Sequence, residues 1–440
     1  MSDFTSVPDG RGANIENVAK GRVVWRKNNT GFYREVLVFI QKDKKRRLHI
    51  RLLFSMIPDP LLIVSVAFSA LYFLMVMYFF IGWLRLKKAS DIAEQASGKV
   101  PFVTIIVPTR NESENIQACL ESIFKQNYPK HRFEVIVIDD YSTDPTLRLA
   151  REIKEDNLTV LDLQQYLGNP GEYVPNKKKA IALGVKNANG ELIITTDGDC
   201  VRSENWLSTM VNYYQQNDYK LLTGPVMIKP TAWPLQIFQQ LDVMNLLGIT
   251  GATIRNGAPV MCNGANLLYA KETFQEVEGY KGNNDIPTGD DIFLMQKIQA
   301  KYPNGVGFVK NYEACVFPKP EKGLGKFFSQ RIRWISKSTG FSDWKVSATL
   351  YFAYLFHVLF IVTIAFTFPL SEFSWLSLAV VGGTKLFADF LFNIPVAIFF
   401  RKWYMLLLLP VIEVFHIVYV LLVGPLSLMG RYRWKDRLVR

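Results

Sequence analysis

Short apolar, β-branched runs alternate with helical periodicity through the middle of the chain, and long unbroken apolar runs flank that stretch on both sides. The middle opens at Phe102 with FVTIIVP, followed by the polar Thr109, Arg110, Asn111 and Glu112, then a helical pattern through Ile116, Leu120, Ile123 and Phe124. That order predicts strand, loop and helix. Phe133 to Ile138 predicts a second strand that ends in Asp139-Asp140-Tyr141-Ser142-Thr143-Asp144, with a helix following to about Lys154. Leu158 to Leu161 predicts a third strand, Lys177 to Ala188 a helix, and Glu191 to Thr196 a fourth strand ending in Asp197-Gly198-Asp199. Gly168 to Pro175, rich in Gly and Pro, predicts a loop. Strands alternating with helices predict an α/β domain with a parallel-type sheet whose ligands gather at the strand ends.

Four apolar runs, Leu61 to Leu84, Thr349 to Pro369, Leu376 to Phe400 and Met405 to Leu428, are each near or above the roughly 20 residues that span a bilayer. The first begins too far into the chain for a signal peptide and predicts a retained anchor. The expected organisation is a polar, basic tail over 1–58, a membrane helix over 59–88, a soluble catalytic domain over 100–345, membrane helices over 348–430 and a basic tail over 431–440. The tail over 1–58 has no strong periodicity and reads as partly disordered or surface-bound.

A hydrophobic fraction of 49% with mean hydropathy +0.09 agrees with partial membrane residence. The net charge of +12 gathers beside the apolar runs, in Lys42 to Arg51, Arg85 to Lys88 and Arg431 to Arg440, which points to membrane lipid and away from nucleic acid. Cys119, Cys200, Cys262 and Cys315 lack CxxC spacing and read as unpaired thiols in a reducing compartment.

Several polar motifs stand at predicted strand and helix ends. Asp197-Gly198-Asp199 sets two hard oxygen ligands on a tight turn, suited to Mg²⁺ or Mn²⁺ that also holds a substrate diphosphate; a solvated turn is the plain alternative. Asp139-Asp140 at a sheet's carboxyl edge can accept hydrogen bonds from a ribose or base. Asn176-Lys177-Lys178-Lys179 opens a helix where cations and free N–H groups can hold phosphate, against a merely solvated basic face. Gly289-Asp290-Asp291 precedes an apolar-patterned helix; its carboxylates can cap that helix and can also supply a general base. Gln330-Arg331-Ile332-Arg333-Trp334 reads either as an interfacial anchor or as a site for a diphosphate at Arg333 and a sugar face at Trp334.

In this order, TIIVPTRNE, VIVIDDYSTD, NKKKAIALG, TTDGDC, CNGANLLY, TGDD and QRIRW closely resemble the family 2 glycosyltransferases. They look most like the membrane branch that includes cellulose, hyaluronan and poly-N-acetylglucosamine synthases. The resemblance implies an α/β GT-A-type domain with a mixed, mainly parallel sheet, joined to α-helical transmembrane segments. It also implies an inverting transfer from a UDP-sugar, aided by Mg²⁺ or Mn²⁺, to a growing polysaccharide. By that likeness Asp139 or Asp140, with Thr109 and Glu112, contacts uridine, Lys179 the diphosphate, and Asp197 and Asp199 the nucleotide and metal, with Asp199 the more direct ligand. The base falls at Asp291, with Asp290 beside it. Gln330, Arg333 and Trp334 match QxxRW, and Cys262, Asn263 and Gly264 match a segment lining the acceptor site. One departure is Leu183-Gly184, where relatives often carry Leu-Asn.

Two alternatives stay open: single addition to a lipid or lipid-linked acceptor, and an inactive membrane scaffold with the same fold. Compact size and the lack of targeting signals fit a bacterial inner membrane, with the catalytic domain in the cytoplasm. A single span before that domain puts the basic amino-terminal tail outside, against the positive-inside tendency, so the count of full spans is three or four. Lys385 and Asp389, spaced i, i+4, predict an intramembrane ion pair; His357, Glu413 and His416 either pair helices or line a path for a saccharide or lipid head group.

Overall fold

The computed structural model describes residues 14–19, 22–26, 60–88, 100–168, 177–229, 234–282, 289–336, 344–367, 372–428, 432–434 and 437–439. Asn176 and the loop expected over 169–175 lie outside them. The segment Met1–Val64 forms a unit of its own, apart from Ser65–Arg440. Within it, Asn14–Ala19 and Arg22–Arg26 pair as an antiparallel hairpin, structure that the weak periodicity of the tail does not announce.

The α/β domain is built on β1 (Val103–Thr109), β2 (Phe133–Asp139), β3 (Leu158–Asp162), β4 (Leu192–Thr195), β5 (Cys200–Arg202), β6 (Leu221–Thr223), β7 (Leu267–Ala270), β8 (Val306–Phe308) and β9 (Val316–Pro318). Seven of these form one sheet in the order β8-β6-β7-β4-β1-β2-β3, and β9 pairs with β5 in a small second sheet. β7 runs antiparallel to both neighbours, β4 and β6, whereas β4, β1, β2 and β3 pair in parallel. The sheet is thus mixed and mainly parallel, as expected.

All seven residues of β1 are buried, which explains why its sequence is a continuous apolar run rather than an alternation: both faces are covered. Helices α2 (Ile116–Phe124) and α6 (Trp206–Gln215) supply Ile116, Leu120, Trp206 and Met210 to the core with Val103, Ile105 and Val107. Ile106 and Ile138 meet α5 (Lys177–Asn187) near Gly184, where an added Cβ would lie 2.9 Å from Ile106 and 3.0 Å from Ile138. Gly184 therefore permits the close approach that seats the lysine-led end of α5.

Short helices α3 (Thr146–Glu152) and α4 (Leu163–Leu167) follow β2 and β3. Further along, α7 (Pro234–Arg255), α8 (Lys271–Glu276), α9 (Asp290–Lys301) and α10 (Leu324–Ser336) complete the domain.

Among the described residues, four helices are long and apolar enough to cross a membrane: α1 (Pro60–Arg85) and the segments Val346–Thr367, Trp375–Phe399 and Trp403–Ser427. The last three lie in α11 (Trp344–Thr367), α12 (Glu372–Phe399) and a 3₁₀ turn continuing into α13 (Leu409–Leu428). Their large apolar side chains face outward, as Leu74, Val414 and Phe415 do, which suits a lipid surroundings and marks an integral-membrane protein. The expected ion pair forms: Lys385 Nζ lies 2.6 Å from Asp389 Oδ2 and also 2.7 Å from Glu413 Oε2 on the next helix.

The domain is seated on this bundle through α7. Gly248 faces Val396 and Phe392 of α12, where a Cβ would come within 2.8 and 2.9 Å. At the end of α1, Lys310 Nζ donates to Trp83 O at 2.7 Å, beside the longer 3.3 Å bond that this carbonyl accepts from the Leu86 N–H.

Candidate active site

The carboxyl ends of β1, β2 and β4 meet in one region. Thr109 and Asp139 are register partners on β1 and β2. The Asp140 N–H donates to Thr109 O at 2.8 Å, so the chain after β2 continues the ladder for one more step. Arg110, which the motif analysis passed over, is buried and donates from Nη1 to Asp140 O and Tyr141 O at 2.8 and 2.7 Å, fixing the acidic turn.

Asp139 Oδ2 accepts from the Ser142 N–H at 2.9 Å, while its buried Oδ1 has no hydrogen-bond partner among the described residues. Burial raises this carboxyl above its ordinary range, an effect partly offset by Ser142. A buried acceptor left open at a strand end suits a ligand N–H or hydroxyl. Glu112 is also buried; its Oε2 accepts from Asn115 Nδ2 at 2.6 Å and its carbonyl starts the turn into α2.

The Asp197-Gly198-Asp199 turn presses against this corner. A Cβ on Gly198 would lie 2.8 Å from Thr109 Cγ2 and 3.4 Å from Glu112 Cγ, so only glycine lets the turn approach. Asp199 Oδ1 accepts from Cys200 Sγ at 3.4 Å.

From the other side, the first turn of α9 brings Asp290 and Asp291, entered through Gly289 at φ 80°. That left-handed conformation favours glycine and aims both carboxylates inward, where they are buried. Asp291 Oδ2 accepts from the Gly264 N–H at 3.2 Å and its Oδ1 from the Ile292 N–H at 2.9 Å. Gly264 O in turn accepts from Thr195 Oγ1 on β4 at 3.1 Å. Cys262 is buried, and Asn263 closes its own turn by accepting from the Ala265 N–H at 3.0 Å.

Lys177 joins the two acidic motifs. Its Nζ lies 2.6 Å from Asp197 Oδ1 and 3.2 Å from Asp290 Oδ2. Burial opposes the charge, but Asp197 and Asp290 outweigh it and hold the amine well above its ordinary value. The family resemblance puts Lys179 at the diphosphate; Lys179 stands two residues further along α5 and is half-buried, while Lys178 is buried with its ammonium 4.6 Å from the centre of the Phe293 ring.

Among the described residues no group of three or more His, Cys, Asp or Glu could hold a metal alone. The two carboxylates of the Asp197-Gly198-Asp199 turn are hard oxygen donors of the kind that would hold a divalent ion, and Asp197 now binds the Lys177 ammonium.

The QxxRW residues are half-buried on α10, whose apolar face packs on α7 and α13 through Phe327, Phe238 and Tyr419. Gln330 Nε2 donates to Glu321 Oε1 at 3.3 Å, and Trp334 stacks under the Arg331 guanidinium at 4.0 Å. Arg331 is the buried arginine of this helix, paired with Asp242 of α7 at 2.7 Å; Arg333, two residues on, points along another face.

The sequence pattern described as "Glycosyl transferase family 2" matches residues 104–277, and that described as "Glycosyl transferase family group 2" matches residues 192–427, more than half of the chain. The chain belongs to glycosyl transferase family group 2. Members of the wider family resemble it over different stretches. Glycosyltransferase AglE of Haloferax volcanii is 36% identical over 131 residues, 29% of this chain and 40% of that protein. Poly-beta-1,6-N-acetyl-D-glucosamine synthase of Staphylococcus aureus is 28% identical over 279 residues, 61% of this chain and 62% of that one. The chain therefore spans less than two thirds of each of these curated relatives. In fold, it is similar to the mannosyltransferase PcManGT of Pyrobaculum calidifontis, solved with GDP-Man and Mn²⁺, with a TM-score of 0.53 at 20% identity, covering 80% of this chain and 98% of that one. The α/β domain is of the GT-A type.

Proposed function

We propose that this family member is an inverting membrane glycosyltransferase that moves a sugar from a UDP-sugar to a growing polysaccharide. The observation that carries the reading is the convergence of Asp197, Asp290, Asp291 and Gly264, from segments far apart in sequence, around one ammonium group. The polymer acceptor is supported by the likeness to the poly-beta-1,6-N-acetyl-D-glucosamine synthase.

In this reading the open Oδ1 of Asp139 accepts from the nucleotide, with Asp140, Thr109 and Glu112 forming the surrounding wall. Asp197 and Asp199 would hold Mg²⁺ or Mn²⁺, which would supply positive charge against the departing UDP. Lys179 and Arg333 reach the diphosphate, Gln330 and Trp334 bind the nucleotide sugar with them, and Trp334, Cys262, Asn263 and Gly264 face the acceptor. Asp291 takes the acceptor hydroxyl proton as the new bond to the anomeric carbon forms and the bond to UDP breaks. Asp291 is held in place by the Gly264 and Ile292 N–H groups, and its neighbour Asp290 is ion-paired to Lys177. The domain faces the cytoplasm, where nucleotide sugars are made.

UDP release by the detergent-purified protein, with Mg²⁺ or Mn²⁺ and a panel of UDP-sugars, tests this. One donor should support release, Asp291→Asn should slow it at least ~10²-fold with donor binding retained, and Asp199→Ala should abolish it. Release by no donor in the presence of lipid extract defeats the proposal. Sizing the product separates a polymer from single addition.

A further inference from the structure

The Lys177 ammonium stands where the mechanism needs a divalent ion to approach. It is bound to a carboxylate of the Asp197-Gly198-Asp199 turn at 2.6 Å and to Asp290 at 3.2 Å, and its side chain is only 19% exposed. Gly264 packs directly on this pair: a Cβ there would lie 2.7 Å from Asp290 Oδ2 and 3.1 Å from Lys177 Nζ. The ammonium is thus held in a fitted seat, not on a solvated surface. A dication cannot share Asp197 closely with that ammonium without strong repulsion. Lys177 opens α5, and its long side chain can move its charge while the helix stays packed at Gly184.

We infer that Lys177 is a resident counter-ion that occupies the metal seat of the nucleotide-free protein and makes uptake of the divalent ion depend on the donor's diphosphate. The diphosphate offers Lys177 a stronger anionic partner, the ammonium leaves Asp197, and the vacated carboxylate accepts the metal. Cation and nucleotide then bind cooperatively, and by linkage each tightens the other by the same factor. This inference rests on the metal-dependent reading of the site given above, and it assigns Lys177 a role distinct from that of Lys179.

The test is Mn²⁺ binding to the full-length protein in detergent, read from the electron paramagnetic resonance signal of free Mn²⁺, with and without UDP. Wild type should bind Mn²⁺ weakly alone and at least about 10-fold more tightly with UDP, within the usual range of coupling between sites. Lys177→Met should strengthen nucleotide-free Mn²⁺ binding about 10-fold and reduce the gain from UDP. Because Lys177→Met leaves Asp290 buried without its ammonium, the double variant Lys177→Met/Asp290→Asn serves as a charge-balanced companion and should show the same tight nucleotide-free binding. Lys177→Arg should behave as wild type.

If Mn²⁺ binds wild type with UDP and Asp199→Asn abolishes it, yet neither lysine-to-methionine variant strengthens binding without UDP, the inference is overturned while the metal reading stands. If wild type takes up no Mn²⁺ even with UDP, the metal reading fails and carries the inference with it.

Discussion

Arg331 and Asp242 form a 2.7 Å ion pair in which both side chains are buried, so that the QxxRW helix is fastened to α7 by charge as well as by packing. The Arg331 guanidinium is also stacked on Trp334 at 4.0 Å and lies 5.0 Å from the centre of the Phe327 ring. Burial raises the Asp242 carboxyl, and Arg331 pulls it back, the expected opposition when an ion pair is taken out of water.

Removing either partner strands the other. Arg331→Ala or Asp242→Ala should each destabilise the protein by about 3–5 kcal/mol, whereas Arg331→Met with Asp242→Leu should recover most of that loss. Unfolding in SDS mixed micelles checks the order. A single variant no less stable than the double one would show that the pair is not the fastening it resembles.

Gly264 makes a sharper prediction about activity. Its missing side chain is what lets Asp290, Asp291 and Lys177 gather, and Gly264→Ala puts a methyl group against both charged groups. The carboxylates must shift by a sizeable fraction of an ångström, and misplacement of about 1 Å can cost about 10²-fold in rate. Turnover should therefore fall about that far, with thermal stability changed much less. Full activity in this variant would mean that Asp290 and Asp291 are not held as tightly as their contacts indicate.

Much of this arrangement was legible from the amino-acid order. β1, β2 and β4 are short, largely apolar runs; β2 and β4 lead into the acidic motifs and β1 into the polar Thr109–Glu112 loop, and these polar segments lie at the strand ends. β6, β7 and β8 were missed because three or four residues carry no readable period, and β7 enters the sheet antiparallel between strands from distant parts of the chain. Lys177 was hidden in a run of three lysines whose members differ only by the phase of α5, and that phase is set by packing at Gly184. Arg331 left a usable signal: Phe327, Arg331 and Trp334 recur at helical spacing on one face, and Asp242 is a lone acid in the largely apolar α7.

Lys310 gives a pH-dependent test of the joint between domain and bundle. Burial, and secondarily Lys88, lower its pKa from 10.5 to about 8. The folded protein therefore binds fewer protons than the unfolded chain between these values, and stability referred to this group rises with pH across that window. The difference in stability between wild type and Lys310→Gln should grow in favour of wild type from about pH 8 to 10.5 and then level off. A difference that is flat or falls over the same range contradicts the assignment.

The intramembrane cluster allows its charges to be tested separately. Lys385 serves two carboxylates, Asp389 at 2.6 Å and Glu413 at 2.7 Å, and Asp389 receives a second bond from Tyr72 Oη at 2.7 Å. Lys385→Met leaves both carboxylates without their cation in an apolar surrounding and should destabilise the protein by about 3–5 kcal/mol or more. Glu413→Gln leaves Lys385 with Asp389, so its cost should be clearly smaller. If Glu413 only ties α13 to α12, the loss of transfer to the native acceptor in Glu413→Gln should follow its loss of folded protein. If it instead lines a path for the acceptor, transfer should fall in protein that stays folded and still releases UDP to water. Measuring both activities on the same folded fraction decides between these two roles.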